Sequence, residues 1–169
     1  MPSGNTIYSA GFPLGVNTSF QKGKDLPADS VDVFLKDWMK VSQGQGDEKL
    51  ARVVCENADG MLEWMHEFCA VNFAAGSMLV WPMLSRAHHV NGETKPGGGH
   101  LAKTLRVKAK ALGVEVRMNT KAVVLLSDEQ TGVVNGVRIK TKEGLSDVHS
   151  NFGVVVATGG FSALHPRRF

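Results

Sequence analysis

Residues 153–163 read GVVVATGGFSA. Four apolar residues, Val154-Val155-Val156-Ala157, run without polar alternation into Thr158-Gly159-Gly160. An unbroken apolar run of this length suits a strand covered on both faces, as in a parallel sheet. That points to an α/β fold, because such a strand needs layers on either side of it. Ligands of parallel sheets bind just beyond the carboxyl ends of the strands, and glycine there lets the backbone come close to them. Thr158-Gly159-Gly160 therefore has two readings. It is a contact edge with Thr158 as a hydroxyl donor, or it is a plain tight turn after a buried strand.

The rest of the chain divides by periodicity. Residues 1–26 are rich in Gly, Ser, Asn and Pro and read as an extended or looped segment. Cap chemistry at Asp29 or Ser30 then opens a helix with Val31, Phe34, Leu35, Trp38 and Met39 on one face. Asp47 caps a second, longer helix. Its stripe is Leu50, Val53, Val54, Ala58, Met61, Leu62, Met65 and Phe68, with Gly60 as a weak point. The Trp38, Trp64, Met39, Met61 and Met65 set reads as core. Residues 72–97 look irregular. A third helix spans about Gly99 to Leu112, closed by Gly113. The period then switches to strands at 114–119, 122–128, 133–141 and 145–151, joined by turn-like DEQTG and TKEG, with the Val run as the last strand. Asp128 and Glu129 fall in a turn and are expected in solvent.

At 169 residues, 43% hydrophobic and 21% charged, the chain is long and apolar enough to bury a core. The formal charge of +3 is spread out, with no basic run of four, so nucleic acid is not an expected partner. Cys55 and Cys69 sit in helical, apolar context without a CxxC and read as buried free thiols. No apolar stretch is long enough to span a bilayer. The first residues, MPSGNTIYSAG, have neither a basic n-region nor a long h-region, which favours the cytoplasm over secretion. Adjacent His88 and His89 point apart on most local backbones, and no carboxylate or thiol cluster joins them, so no metal site is expected. His100, at a helix start, reads either as near a cofactor or as a satisfied helix-end residue.

Taken together, the order "GGGHLAKTLRVKAKALGVEVRMNTKAVVLL", then a meander, then "VVVATGGF" resembles the FAD-binding domain of the fumarate reductase and succinate dehydrogenase flavoprotein superfamily. The soluble branch is the nearest in look: flavocytochrome c fumarate reductases, urocanate reductases and 3-ketosteroid dehydrogenases. "SGNTIYSAGF" looks like that family's Gly-Gly-Asn-(Ser/Thr)-x-x-Ala-Gly-Gly segment along the flavin and diphosphate, with Ser3 for the first Gly and Ala10 where Gly is common. "SRAHHVNGETKPGGGH" looks like its Arg-x-His-Arg-Pro-x-Gly-Gly region, with His89 for the Arg and Val90 for the Pro. The resemblance implies a Rossmann-like FAD-binding domain with a three-strand meander and the helical start of a capping lobe. It divides the chain into a FAD-contacting segment at 1–26, a helical pair at 27–80 and FAD-binding-domain elements at 81–169. It implies FAD as cofactor, with contacts from Asn5, Thr6, Ala10, Gly11, Gly98, Ala122, Ala157, Thr158, Gly159 and Gly160. Ala122 stands where the family's backbone meets the adenine. The implied reaction is hydride transfer between flavin and an activated C–C double bond in a small enoate or enone.

Two features of that family are not in this sequence. A strand with GxGxxG should precede "SGNT", and "KPGGGH" does not replace it, lacking the strand before it and the spacing. The family's proton-donating Arg and substrate-binding His and Arg follow the Thr-Gly-Gly-Phe strand, where this sequence reaches "HPRRF". The resemblance therefore implies a segment cut at both ends, with no catalytic residue to assign and His165, Arg167 and Arg168 in a solvated tail. A final strand without its neighbours leaves an edge open to association. The alternatives are a truncated, inactive paralogue or interaction module, and an unrelated α/β protein that binds a nucleotide through "KPGGGH".

Overall fold

The computed structural model describes residues 4–75, 86–91 and 97–159. The chain forms two compact units that divide between Val114 and Glu115.

The first unit is built on two helices. Helix α2 (Val31–Val41) starts at Ser30, whose hydroxyl accepts the Val33 N–H. Helix α3 (Glu48–Glu67) starts at Asp47, whose carboxylate accepts the Lys49 and Leu50 N–H groups. Both caps satisfy donors that the first helical turn leaves over, and both sit where the sequence places them. At 20 residues α3 is about 30 Å long, and it joins two apolar clusters. Its first half holds Ala51, Cys55 and Ala58 against Phe34 and Leu35 of α2 and against Val16. Its second half holds Leu62 and Met65, with Cys69, Val71 and Val90, against Phe20, Phe73, Leu101 and Leu105.

The buried face of α3 differs from the expected stripe. Ala51, Cys55, Ala58, Leu62 and Met65 are buried, whereas Leu50, Val53, Val54, Met61, Trp64 and Phe68 are exposed. The helix is apolar on two faces, and the small residues of one, Ala51, Cys55 and Ala58, pack against α2. Trp38, Trp64 and Met61 accordingly lie at the surface rather than in a common core. Cys55 and Cys69 are both buried free thiols, and burial pushes the Cys55 thiol up.

Two short strands, β1 (Phe73–Ala75) and β2 (His88–Val90), pair antiparallel within the stretch read as irregular. Three-residue strands carry too little period to show in a sequence. Helix α4 (Gly98–Ala111) closes the unit and ends on Gly113, at φ +81°.

The second unit is an antiparallel meander of β3 (Lys121–Ser127), β4 (Val134–Lys140) and β5 (Leu145–His149), in that spatial order. Arg138 and Asp147, directly opposite across β4 and β5, form a two-bond ion pair at 2.6 and 2.7 Å. Asp128 turns the β3–β4 connection by accepting the Gln130 and Thr131 N–H groups and the Thr131 hydroxyl, which hold its carboxyl below the ordinary range. Asp128 and Glu129 are exposed, as expected of a turn.

Two expected strands do not form. Residues 114–119 and 153–158 join no ladder among the described residues. A strand is defined by its neighbour, and neither segment has a described one. Val155 and Val156 stand 92% and 64% exposed. The described elements are thus a mixture of helices and two antiparallel sheets, an α/β arrangement.

Candidate functional site

Residues 9–15 run antiparallel to β2 and on towards α4. Gly15 N–H donates to the Arg86 carbonyl, His88 N–H to Pro13, Val90 N–H to Gly11 and Gly98 N–H to Ser9, each at 3.0 Å. Leu14 and Ala87 form a β-bridge within this run. The segment is thus a third strand-like run beside β1 and β2, held in register by these backbone bonds.

Its lower end is a seam of glycines. Gly11 has φ +72°, and a Cβ there would overlap the Gly97 backbone and lie 2.6 Å from Gly98 N. A Cβ on Gly98 would overlap the Thr6 carbonyl oxygen and Ser9 Oγ. Only glycine allows two backbones to meet this closely. The seam sets helix α1 (Asn5–Tyr8), a single turn, across the start of α4, with Asn5, Thr6 and Ala10 exposed on it. Ser9 Oγ–H closes the turn by donating to the Thr6 carbonyl at 2.8 Å.

Five of the expected site residues therefore come together: Asn5, Thr6, Ala10, Gly11 and Gly98. Ala122 lies on β3, paired with Ile139. Ala157, Thr158 and Gly159 are exposed in the second unit, with Gly159 at φ +81°. Gly160 and the basic tail lie outside the described residues. Sequence reasoning missed Ser9 and Gly97, whose φ of +94° puts its missing Cβ 2.8 Å from the Ala10 carbonyl. A run of three glycines before a helix was the available signal.

That run does not form a phosphate nest. Gly97 N–H donates to the Val90 carbonyl and Gly98 N–H to Ser9, so both amides are taken. Gly97 and Gly98 thus serve backbone contact, and Lys95 and Pro96 of "KPGGGH" lie outside the described residues. Among the described residues the seam presents the exposed side chains of Asn5 and Thr6. No acidic residue stands in the first turn of α1 or α4. This donor set, without a repelling charge, fits a long polar cofactor with a diphosphate.

Behind the segment lies a buried polar group. His88 is fully buried; its Nδ1 lies 2.6 Å from the Arg86 carbonyl and its Nε2 2.7 Å from Thr18 Oγ1. Nδ1–H donates to the carbonyl, and Thr18 Oγ1 stands between Nε2 and Gln21 Oε1, which lies 3.2 Å from it. Phe20 and Phe73 meet its ring edge-on. His89 points the other way and stacks on Phe12 at 4.8 Å. His100 reaches Thr104 at 3.5 Å, a helix-end contact.

Burial lowers the His88 pKa, and the bond to the Arg86 carbonyl offsets only part of that. The unfolded chain, with an ordinary histidine near 6.5, then binds this proton more readily than the fold does. Stability is full above about pH 6.5 and falls as pH is lowered through that value, levelling below the depressed folded pKa. Melting followed from pH 7.5 to 5.5 is expected to show this slope, and His88→Gln is expected to flatten it.

Arg86 is also fully buried. Its Nε and Nη2 form a two-bond fork to Asp29 at 2.6 and 2.8 Å, and its Nη1 meets Asp37 at 2.9 Å. Its guanidinium lies 4.7 Å over the Phe34 ring. Burial disfavours the charge, but the two carboxylates outweigh it and hold the guanidinium above its ordinary value. Every buried side-chain polar atom among the described residues has a partner.

The family model that matches the chain is described as FAD binding domain and covers residues 2–168. Among curated proteins, a fumarate reductase (cytochrome) of Shewanella frigidimarina is 30% identical over 165 residues, covering 97% of this chain and 28% of its own length. A urocanate reductase of Eggerthella lenta is 32% identical over 168 residues, covering 95% of this chain and 26% of its own. The chain thus spans about a quarter of the length of the curated relatives it matches. Among solved structures, the open conformation of a flavocytochrome c3 fumarate reductase superposes with a TM-score of 0.76 at 27% identity, over 91% of this chain and 27% of that one. A 3-ketosteroid-Δ4-(5α)-dehydrogenase of Rhodococcus jostii RHA1, in complex with 4-androstene-3,17-dione, gives 0.79 at 26% identity, over 94% and 39%. No described helix is long and apolar enough to cross a membrane. A glycine-seamed segment with uncharged donors, on a fold shared with these flavoproteins and matched almost end to end, places the chain: it belongs to the FAD binding domain family, whose cofactor is FAD.

Proposed function

We propose that this chain is the cofactor-lining part of an FAD-dependent oxidoreductase of the fumarate reductase type. The observation that carries the reading is the seam that sets Asn5, Thr6, Ala10 and Gly11 against Gly98. In this reading those residues lie along the flavin and diphosphate, Ala122 meets the adenine, and Ala157, Thr158, Gly159 and Gly160 form a second edge. When bound, the flavin supplies the hydride chemistry; the chain binds and orients it. The substrate class is a small molecule with an activated C–C double bond. Support comes from relatives named for fumarate and urocanate and from a solved neighbour holding a steroid enone. No residue of this chain is assigned a proton-transfer role.

The test is FAD binding by the purified chain. The expected result is a visible flavin band that stays with the protein through desalting, together with a rise in melting temperature. At FAD a hundredfold above its Kd, the gain in stability is about 2.7 kcal/mol. Absence of both the band and the thermal gain would overturn the reading for this chain.

A further inference from the structure

We propose that Arg86 is a positioning residue: its buried fork fixes helix α2 and the lead-in to α2 against the segment 9–15. The inference rests on the reading of that segment as flavin-lining. Four parts of the first unit meet at this one residue. Its carbonyl receives both Gly15 N–H, from the segment, and His88 Nδ1–H, from β2. Its guanidinium grips Asp29, and the same Asp29 carboxylate accepts the N–H of Ser30, the cap of α2. It also meets Asp37, in the second turn of α2, and covers Phe34 one turn earlier.

A core of apolar side chains alone would leave α2 free to slide, since apolar contact has little direction. The fork supplies direction. Two parallel bonds to Asp29 set the start of the helix, and the bond to Asp37 sets its rotation. The Asp29 and Asp37 side chains are only 6% and 15% exposed, so water does not screen the arrangement. Whatever lies along residues 5–11 then feels the helical pair at a fixed distance, through Gly15 and Arg86.

Arg86→Lys separates positioning from plain stability. Lysine keeps the charge but cannot fork to Asp29 and reach Asp37 together. Hydrogen exchange on the full chain, read by peptide, is expected to quicken about tenfold over residues 29–41 and to stay unchanged over 62–69. A rise shared equally by both stretches, or no rise over 29–41, overturns the proposal. Should the lysine variant fail to fold, Asp37→Asn keeps the shape and the Asp29 fork, and the same local rise, smaller in size, is expected. With FAD added, exchange over 29–41 is expected to slow in the unaltered chain and not in Arg86→Lys. A flavin band without that slowing overturns the positioning role. If FAD does not bind at all, the cofactor reading fails, and the ligand-free comparison of 29–41 with 62–69 still decides the role of Arg86.

Discussion

Replacing Gly98 by alanine lowers the unfolding free energy by about 1–3 kcal/mol, while the same change at Gly99 stays within about 0.5 kcal/mol. The two positions are neighbours in the first turn of α4, so helix propensity favours alanine at both. They differ in what the added carbon meets. At Gly98 it would overlap the Thr6 carbonyl oxygen and Ser9 Oγ, and the Ser9 carbonyl lies 3.0 Å away. Two of these three atoms are backbone and cannot swing aside. At Gly99 the nearest atom is the Ile7 carbonyl oxygen at 3.6 Å, ordinary contact. The Gly98 variant must push α1 off α4, and it loses the Gly98-to-Ser9 hydrogen bond with it. Urea unfolding of both variants measures the difference. On the proposed reading, FAD affinity falls in Gly98→Ala and holds in Gly99→Ala, because only the first displaces Asn5 and Thr6. Equal stability of the two variants would mean that the seam is looser than its backbone contacts indicate.

Local chemistry was legible in the sequence where it is self-contained. Ser30 and Asp47 cap their helices, Gly113 ends α4, and the turns at Asp128 and Gly144 delimit the meander. Each of these needs only residues a few places apart. What failed needs a distant partner. Val154–Ala157 has the composition of a covered strand, but pairing depends on a neighbour that composition does not supply. The pairs β1–β2 and Gly15–Arg86 join segments too short to show a period. Arg86 and Asp29 stand 57 positions apart, and no spacing rule links them. The site divides in the same way. Gly11 and Gly98 were placed by resemblance to a family, and the reason each must be glycine came only from the approach of the other strand of backbone. Gly97 and Ser9 belong to the same contact and have no signature of their own.

The helix α3 offers the sharper test, because sequence reasoning put Met61 and Leu62 on one stripe. Leu62 is fully buried and Met61 is 46% exposed. Leu62→Ala is expected to cost about 2–5 kcal/mol, since the cavity it leaves lies among well-packed neighbours. Met65, Cys69, Val71 and Val90 surround it, and its Cδ1 lies 2.5 Å from where a Cβ on Gly15 would stand. That last contact ties α3 to the segment proposed to line the flavin, so the cavity opens directly behind it. The variant is therefore expected to lose FAD-induced stabilisation along with its own stability. Met61→Ala removes surface that water already reaches and is expected to shift stability by no more than about 0.5 kcal/mol. Denaturant midpoints of the two variants at equal slope give the comparison. A large cost at Met61 would show that the second apolar face of α3, with Val53, Val54 and Trp64, is covered in solution. The exposed stripe would then be a contact surface rather than a bare one, and the expected stripe would be right about burial for a reason outside the fold of this chain.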